Sequence, residues 1–368
     1  MSNKKTGQLS RVIIEGFKSI KKCDLELRNL NVLIGSNGAG KSNFVSAFTM
    51  LQRVLSGDLS IYVGQSGVNS LFYNGVKTTD TIAMTFYFDL HSYSFELIPT
   101  QNNSTIFKNE RFGYHGAWEH SESLSKGHKE SVWEKGSGNE IIDSYVMPKL
   151  KNPQWRVYHF HDTGSGSKIK MEHNVINNKI LLNDASNLAA FLYRLWVQRP
   201  AAYENILEAV RLIAPYFKDF ELEPNDNNRE HITLRWRQKG SEDIFSASQL
   251  SDGTLRFICL TALLLQPDEL QPATIIIDEP ELGLHPYAIT VFAEMTKKAA
   301  TKKQIILSTQ SVELLNQFDV PDVIVVDRNG NGSELKRLDA DELSDWLENE
   351  YTIGELWNKN ILGGRLSI

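Results

Sequence analysis

The chain has 368 residues, 41% of them hydrophobic, and a formal net charge of −6 at pH 7, so it holds one large or two medium domains and carries no overall basic balance of the kind that marks most nucleic-acid binders. A local basic face on an acidic protein is still compatible with this balance. Two cysteines, Cys23 and Cys259, without CxxC spacing, exclude a disulfide framework or a cysteine zinc site, and the polar stretch Met1 to Arg11 has no secretory apolar core, which fits a cytoplasmic protein. The longest largely apolar run, Phe257 to Leu265, is far short of the roughly 20 residues a bilayer span needs, so no membrane role of its own is expected.

Val12 to Ile14 reads as a short strand, Leu25 to Leu30 as a second with alternating faces, and Val32 to Ile34 as a third that runs into a glycine-rich turn. Lys41 to Leu55 has helical spacing, with Phe44, Ala47, Phe48 and Leu51 on one face. Thr81 to Phe88 and Tyr93 to Leu97 alternate as antiparallel strands. From Gln101 to Glu140 the composition shifts to Asn, Ser, Gly, Lys and Glu, yet Phe112, Tyr114, Trp118 and Trp133 remain. This predicts an inserted hairpin with a mobile tip, which either meets a partner through exposed aromatic residues or packs on its own domain. No heptad repeat accompanies it.

Further strands are predicted at Arg156 to Phe160, Ile232 to Arg237, Asp243 to Ser246, Thr274 to Ile277, Gln304 to Leu307, Val323 to Val326 and Leu335 to Leu338. Helices are predicted at Asn187 to Gln198, Ala202 to Ala214, Thr254 to Leu265 and Pro286 to Lys298, with Asp341 to Asn349 as the last. Asn329-Gly330-Asn331-Gly332 marks a hairpin turn. Late alternation of strands and helices gives an α/β fold with a mostly parallel core sheet, beside an antiparallel β subdomain and a helical subdomain. The chain divides on this reading into an N-terminal lobe (1–100), the inserted region (101–150) and the remainder (151–368).

Gly35-Ser36-Asn37-Gly38-Ala39-Gly40-Lys41-Ser42 fits GxxxxGK[ST] without a mismatch, with an apolar strand before it and a helix after. Such a loop turns backbone N–H groups onto phosphate oxygens at a helix N-terminus. Lys41 reaches the β and γ phosphates of ATP, and Ser42 ligates Mg2+. Ile275-Ile276-Ile277-Asp278-Glu279-Pro280 is a buried strand ending in two acids. Asp278 suits the Mg2+ site and Glu279 the general base. Leu250-Ser251-Asp252-Gly253-Thr254 opens an apolar helix, and Ser251 is its natural N-cap. Gln249 beside it reads as structural.

This set, in this order, resembles the ABC ATPase heads. In those proteins the signature of one subunit completes the ATP site of another. The resemblance therefore implies a homodimer with two sandwiched ATP molecules, bound by Ser36 to Asn43 of one copy and Ser251, Asp252 and Gly253 of its partner. Gly16-Phe17-Lys18-Ser19-Ile20 and Lys41-Ser42-Asn43-Phe44 are similar to the SMC and RecF type. Pro280-Glu281-Leu282-Gly283-Leu284-His285-Pro286, Asn187-Leu188-Ala189-Ala190, Gly354-Glu355-Leu356-Trp357 and Gly363-Gly364-Arg365 resemble the OLD group. OLD proteins often carry a C-terminal Toprim nuclease. Because the chain stops soon after these motifs, a nuclease is expected on a separate protein.

Where the family pattern reads Thr-His-Ser, this chain has Thr309-Gln310-Ser311. An amide donates a hydrogen bond but carries no charge, which predicts slow turnover suited to a switch. His159-Phe160-His161-Asp162 stands in roughly the region of the Q-loop, where Asp162 or His161 reaches the metal or the attacking water. Chelation by the two histidines, or a satisfied pair at a strand end, are the alternatives. The expectation that unites these features is an ATP-driven switch controlling an effector in anti-phage defence. A RecF-like ATPase that itself grips DNA is the second reading, and a transporter subunit or a non-hydrolysing scaffold fits the motifs less well.

Overall fold

A computed structural model describes residues 8–117, 119–150, 155–225, 228–330 and 332–364, with Leu347 described through its backbone alone. Trp118, Asn331 and Arg365, named above, lie outside the described residues.

Strands β1 (Arg11–Phe17) and β2 (Ile20–Glu26) form a tight hairpin, and β3 (Leu30–Ile34), buried throughout, leads to helix α1 (Lys41–Leu55). The second strand ends earlier than alternation suggests. Leu27 still donates its N–H to the Ser10 carbonyl at 2.9 Å, but Asn31 then closes a turn on Arg28, accepting from its N–H at 3.0 Å and donating to its carbonyl at 2.7 Å, which takes Arg28 out of the ladder. Helices α2 (Leu59–Ser66) and α3 (Val68–Leu71) precede β4 (Ile82–Phe88), β5 (His91–Pro99), β6 (Thr105–His115), β7 (Glu119–Ser125) and α4 (Glu140–Leu150).

The central stretch holds β8 (Trp155–Tyr158), β9 (His173–Asn174), α5 (Leu188–Gln198), α6 (Pro200–Ile213), β10 (Phe217–Glu221), β11 (His231–Ile232), β12 (Arg235–Gln238) and β13 (Ile244–Ser246). It continues through α7 (Asp252–Leu265), β14 (Thr274–Asp278), α8 (Pro286–Ala300) and β15 (Gln304–Thr309). The last stretch comprises α9 (Val312–Leu315), β16 (Val323–Asn329), β17 (Gly332–Arg337), α10 (Ser344–Glu348) and α11 (Ile353–Asn358). The single terminal helix expected from Asp341 is thus a 3-10 turn at Asp341–Leu343 followed by α10, and it is not the last. A capping box of Thr352 and Glu355 starts α11 beyond it.

Two units divide the chain, residues 1–157 with 306–368, and residues 158–305. In the first, an antiparallel sheet runs in the order β2-β1-β4-β5-β6-β7. The hairpin read as an insertion forms its far edge, with Tyr93 opposite Phe112. Phe112 and Trp133 are buried, and Trp133 donates from Nε1 to the Leu55 carbonyl at 3.0 Å. These two aromatic residues pack on their own unit. Glu110, fully buried on β6, accepts from Tyr93 Oη at 2.6 Å, His128 Nε2 at 2.9 Å, the Val132 N–H at 3.0 Å and Ser131 Oγ. Such a carboxylate is tolerated in the interior because donors surround it. The apolar face of α1 lies against this sheet, with Phe48 6.1 Å from Phe86 between ring centres. In the same unit β16 pairs parallel with β3 and antiparallel with β17, a mixed core sheet.

The second unit is built around α7, which is buried from Thr254 to Leu264. A helix apolar on all sides must lie in an interior, and α6 and α8 pack on it. A small antiparallel sheet, β10-β12-β13, holds Trp236 stacked on Phe217 at 5.4 Å. Among the described residues no helix is long and apolar enough to cross a membrane.

Candidate active site

In the first unit Gly35 to Ser42 joins β3 to α1. Gly40 adopts φ 118°, and a Cβ there would lie 2.0 Å from Ser333 Oγ, so only glycine fits. Helix α1 has neither a side-chain cap nor an acidic residue in its first turn, which leaves its N-terminal partial charge for an anion. Lys41 is buried and folds over its own loop, donating to the carbonyls of Gly35 at 2.7 Å and Ser36 at 3.2 Å.

A directed chain of hydrogen bonds supports the loop from behind. Ser333 Oγ donates to the Ala39 carbonyl at 2.5 Å. Its one proton is then used, so it accepts from Ser19 Oγ at 2.7 Å, and Ser19 Oγ accepts from Asn43 Nδ2 at 2.7 Å. This explains Ser19 and Asn43 of the two flanking motifs. Ser333, from β17, escaped the sequence reading. Two further supports are Arg328, also absent from it, and Gly364, which it named only through the resemblance to the OLD group. Arg328 donates to the Gly38 carbonyl at 3.3 Å, and the Ser36 N–H donates to the Gly364 carbonyl at 3.0 Å.

Lys18, Ser19, Asn43, Tyr73, Asn74 and Arg328 help line a cavity of about 460 Å³ beside the loop, and among the described residues no carboxylate lines it. Burial pushes the Lys18 ammonium below its usual pKa, a cost that an anionic ligand would offset. Replacing Ser333 by Ala should weaken ATP binding about fivefold, the loss of about 1 kcal/mol for one net hydrogen bond. Titration with a fluorescent ATP analogue checks this, and unchanged affinity would mean that the chain is dispensable.

In the second unit β14 is wholly buried and ends at Asp278, whose Oδ1 is buried without a hydrogen bond among the described residues. An orphaned carboxylate oxygen at a strand end fits a group kept for hydrated Mg2+. Glu279 follows at φ 45°, the left-handed region that side chains avoid, and such strain clusters at functional positions. His161 donates from Nε2 to the Asp278 carbonyl at 2.9 Å, which fixes the proton on that nitrogen.

His159 and His161 have ring centres 6.0 Å apart, but no cluster of three or more metal-ligating side chains occurs among the described residues, so chelation by this pair finds no third ligand. Asp162 is exposed, with its carbonyl accepting from Ser167 Oγ at 2.6 Å. Gln249 accepts from the Ser246 N–H at 2.8 Å in a capping box, a structural role.

Ser251 caps α7, accepting from the Thr254 N–H at 3.1 Å. A Cβ on Gly253 would lie 2.2 Å from the Gly283 carbonyl oxygen, so glycine lets the signature and the loop after the acid pair pack backbone to backbone. Asp252 pairs with Lys170 at 3.6 Å. Arg256, two residues beyond Thr254, is buried and donates to three backbone carbonyls: Phe160 at 2.9 Å, His161 at 3.0 Å, and Leu282. It sits inside an apolar helix, where the sequence reading passed over it. Gln310 follows β15 directly, in the first unit, just before Ser311, which caps α9.

Residues 30–316 match the family described as "AAA domain, putative AbiEii toxin, Type IV TA system", and the chain belongs to that family. The Smc head bound to the C-winged helix domain of ScpA superposes with a TM-score of 0.60 at 15% identity, over 92% of this chain and 99% of that one. A Smc head with an extended coiled coil from Pyrococcus furiosus, bound to the C-terminal domain of ScpA, gives 0.55 at 14% identity, over 93% and 99%. The Smc head with a coiled coil and joint from Pyrococcus yayanosii gives 0.55 at 11%, over 93% and 99%. The DNA replication and repair protein RecF of Vibrio campbellii and that of Vibrio parahaemolyticus are each 40% identical over 70 residues, 18% of this chain and 20% of the relative. The chain therefore matches about a fifth of the length of these curated relatives. By its family it is an ATPase of AAA type, its fold is that of the Smc heads, and a segment of 70 residues is similar to RecF.

Proposed function

We propose that ATP closes two copies of this head into a head-to-tail dimer, and that closure controls a separate cytoplasmic effector, a nuclease of Toprim type, in defence against phage. The observation that carries the dimer is the placement of the signature. Ser251 and Asp252 are exposed at the start of α7, whose other turns are buried, so a capped helix N-terminus is offered outward. On this reading Ser36 to Asn43 and Lys41 hold the ATP phosphates, and Ser251, Asp252 and Gly253 of the second copy cover them. Ser42 and Asp278 would hold Mg2+, which would neutralise charge on the β and γ phosphates. Water attacks the γ-phosphorus, its proton passes to Glu279, and the bond to the β-phosphate oxygen breaks to release ADP. Gln310 donates a neutral hydrogen bond to the γ-phosphate, which keeps turnover slow.

The toxin–antitoxin description of the family supports the defence setting. The ScpA-bound Smc heads offer a precedent for a partner docked on such a head. The RecF match supports a second reading, in which the closed dimer grips DNA itself. Native mass spectrometry of the tagged protein, purified gently from its own cells, tests the proposal. The expected result is a second protein in fixed ratio. Recovery alone, or with DNA that stimulates hydrolysis, would overturn the effector reading in favour of the second.

A further inference from the structure

The signature does not stand alone in the second unit. Ser251, Gly253, Thr254, Leu284, His285 and Tyr287 border one small cavity of about 140 Å³. Two helices start on it, α7 capped by Ser251 and α8 capped by His285. The missing Cβ of Gly253 lets the Gly283 carbonyl close the gap between them, so His285 is held against the signature by backbone packing.

The cap also settles the state of the imidazole. His285 Nδ1 accepts from the Tyr287 N–H at 3.3 Å. In the neutral ring the proton is then on Nε2, which becomes a hydrogen-bond donor. The ring is exposed, and among the described residues no hydrogen bond reaches Nε2. This chain thus lacks an imidazole at Gln310 but presents one beside the signature.

We infer that His285 is a catalytic residue acting in trans: it donates from Nε2 to the γ-phosphate of the ATP held by the P-loop of the other copy. The inference rests on the head-to-tail dimer proposed above. Ser251, Gly253 and His285 then act as one anion-binding wall, and the donor that Gln310 supplies in neutral form is reinforced from the partner.

His285→Asn is the informative variant. The Asn side-chain oxygen replaces Nδ1 as the cap of α8, so the helix start is retained, while nothing occupies the place of Nε2. Turnover should fall at least about tenfold, as for loss of one donor to transition-state charge, with the melting temperature unchanged.

Mixing then separates trans from cis action. Glu279→Gln binds ATP but cannot hydrolyse it, and it carries an intact His285. In a one-to-one mixture with His285→Asn, half of the dimers are mixed and each has one complete site. Activity should recover to about a quarter of the wild-type value. Wild-type turnover in His285→Asn alone would overturn the inference. So would a mixture no more active than its components while Glu279→Gln still dimerises with ATP. If Glu279→Gln stays monomeric with bound ATP, the dimer reading itself fails and this inference falls with it.

Discussion

Glu279→Gln should convert the enzyme into an ATP trap, with turnover lowered by about two to four orders of magnitude, the usual contribution of a positioned general base. With ATP and Mg2+ present, light scattering should show the mass of the particle doubled. The amide matches the carboxylate in size but cannot take a proton from the attacking water. On the proposed reading nucleotide binding rests on the loop between β3 and α1, which the substitution does not touch. The backbone at residue 279 is strained, at φ 45°, at a cost of about 1–3 kcal/mol. The buried strand β14 holds it there, and Gln has the same steric needs as Glu. Trapped ATP on a monomer would contradict the head-to-tail arrangement, whereas an oligomer that forms without ATP would leave it standing.

The legible parts of this protein are those where local sequence and local structure coincide. Lys41 to Leu55 is predicted and found at the same bounds, because its apolar spacing and the preceding glycine loop point to one start. Helix α7 and strand β14 are legible for a similar reason, as continuous apolar runs bounded by a cap and by acids. Helices α2, α3 and α4 are short or weakly periodic, and tertiary contacts hold them. Leu59 and Ser60 donate their N–H groups to Glu130 at 2.9 and 2.8 Å, a cap supplied from 70 or more residues away.

The same holds for the site. The glycines and Lys41 can be read from their spacing, but the groups that fix the loop come from β16, β17 and the turn after α11. Nothing in the spacing of Arg328, Ser333 and Gly364 ties them to Gly38, Ala39 and Ser36. Strand pairing does so for the first two, by setting Arg328 opposite Ser333, and the turn after α11 brings in Gly364. Helix α11 is the opposite case. Its start is set by a local capping box of Thr352 and Glu355, three residues apart in sequence, and needs no distant partner.

Arg256 carries the second large effect. Its guanidinium links the signature helix to the Phe160 and His161 carbonyls and to Leu282 beyond the acid pair, and His161 in turn holds the Asp278 carbonyl. Burial pushes its pKa down, so the cation bears a desolvation cost that the three carbonyls offset. Arg256→Met leaves those carbonyls without their donor, and stability should fall by about 3 kcal/mol, read as a lower denaturant midpoint. Arg256→Lys offers one point charge for three acceptors that a planar fork spans. It should lose less stability, yet kcat should fall at least about tenfold with KM for ATP little changed, because Asp278 and Glu279 lose their shared anchor while the P-loop keeps its own. A Lys variant in which KM rises and kcat holds would place Arg256 in nucleotide binding instead. A Met variant with the wild-type midpoint and turnover would show that the three carbonyls find other partners, and Arg256 would then have no part in coupling the signature to the acids.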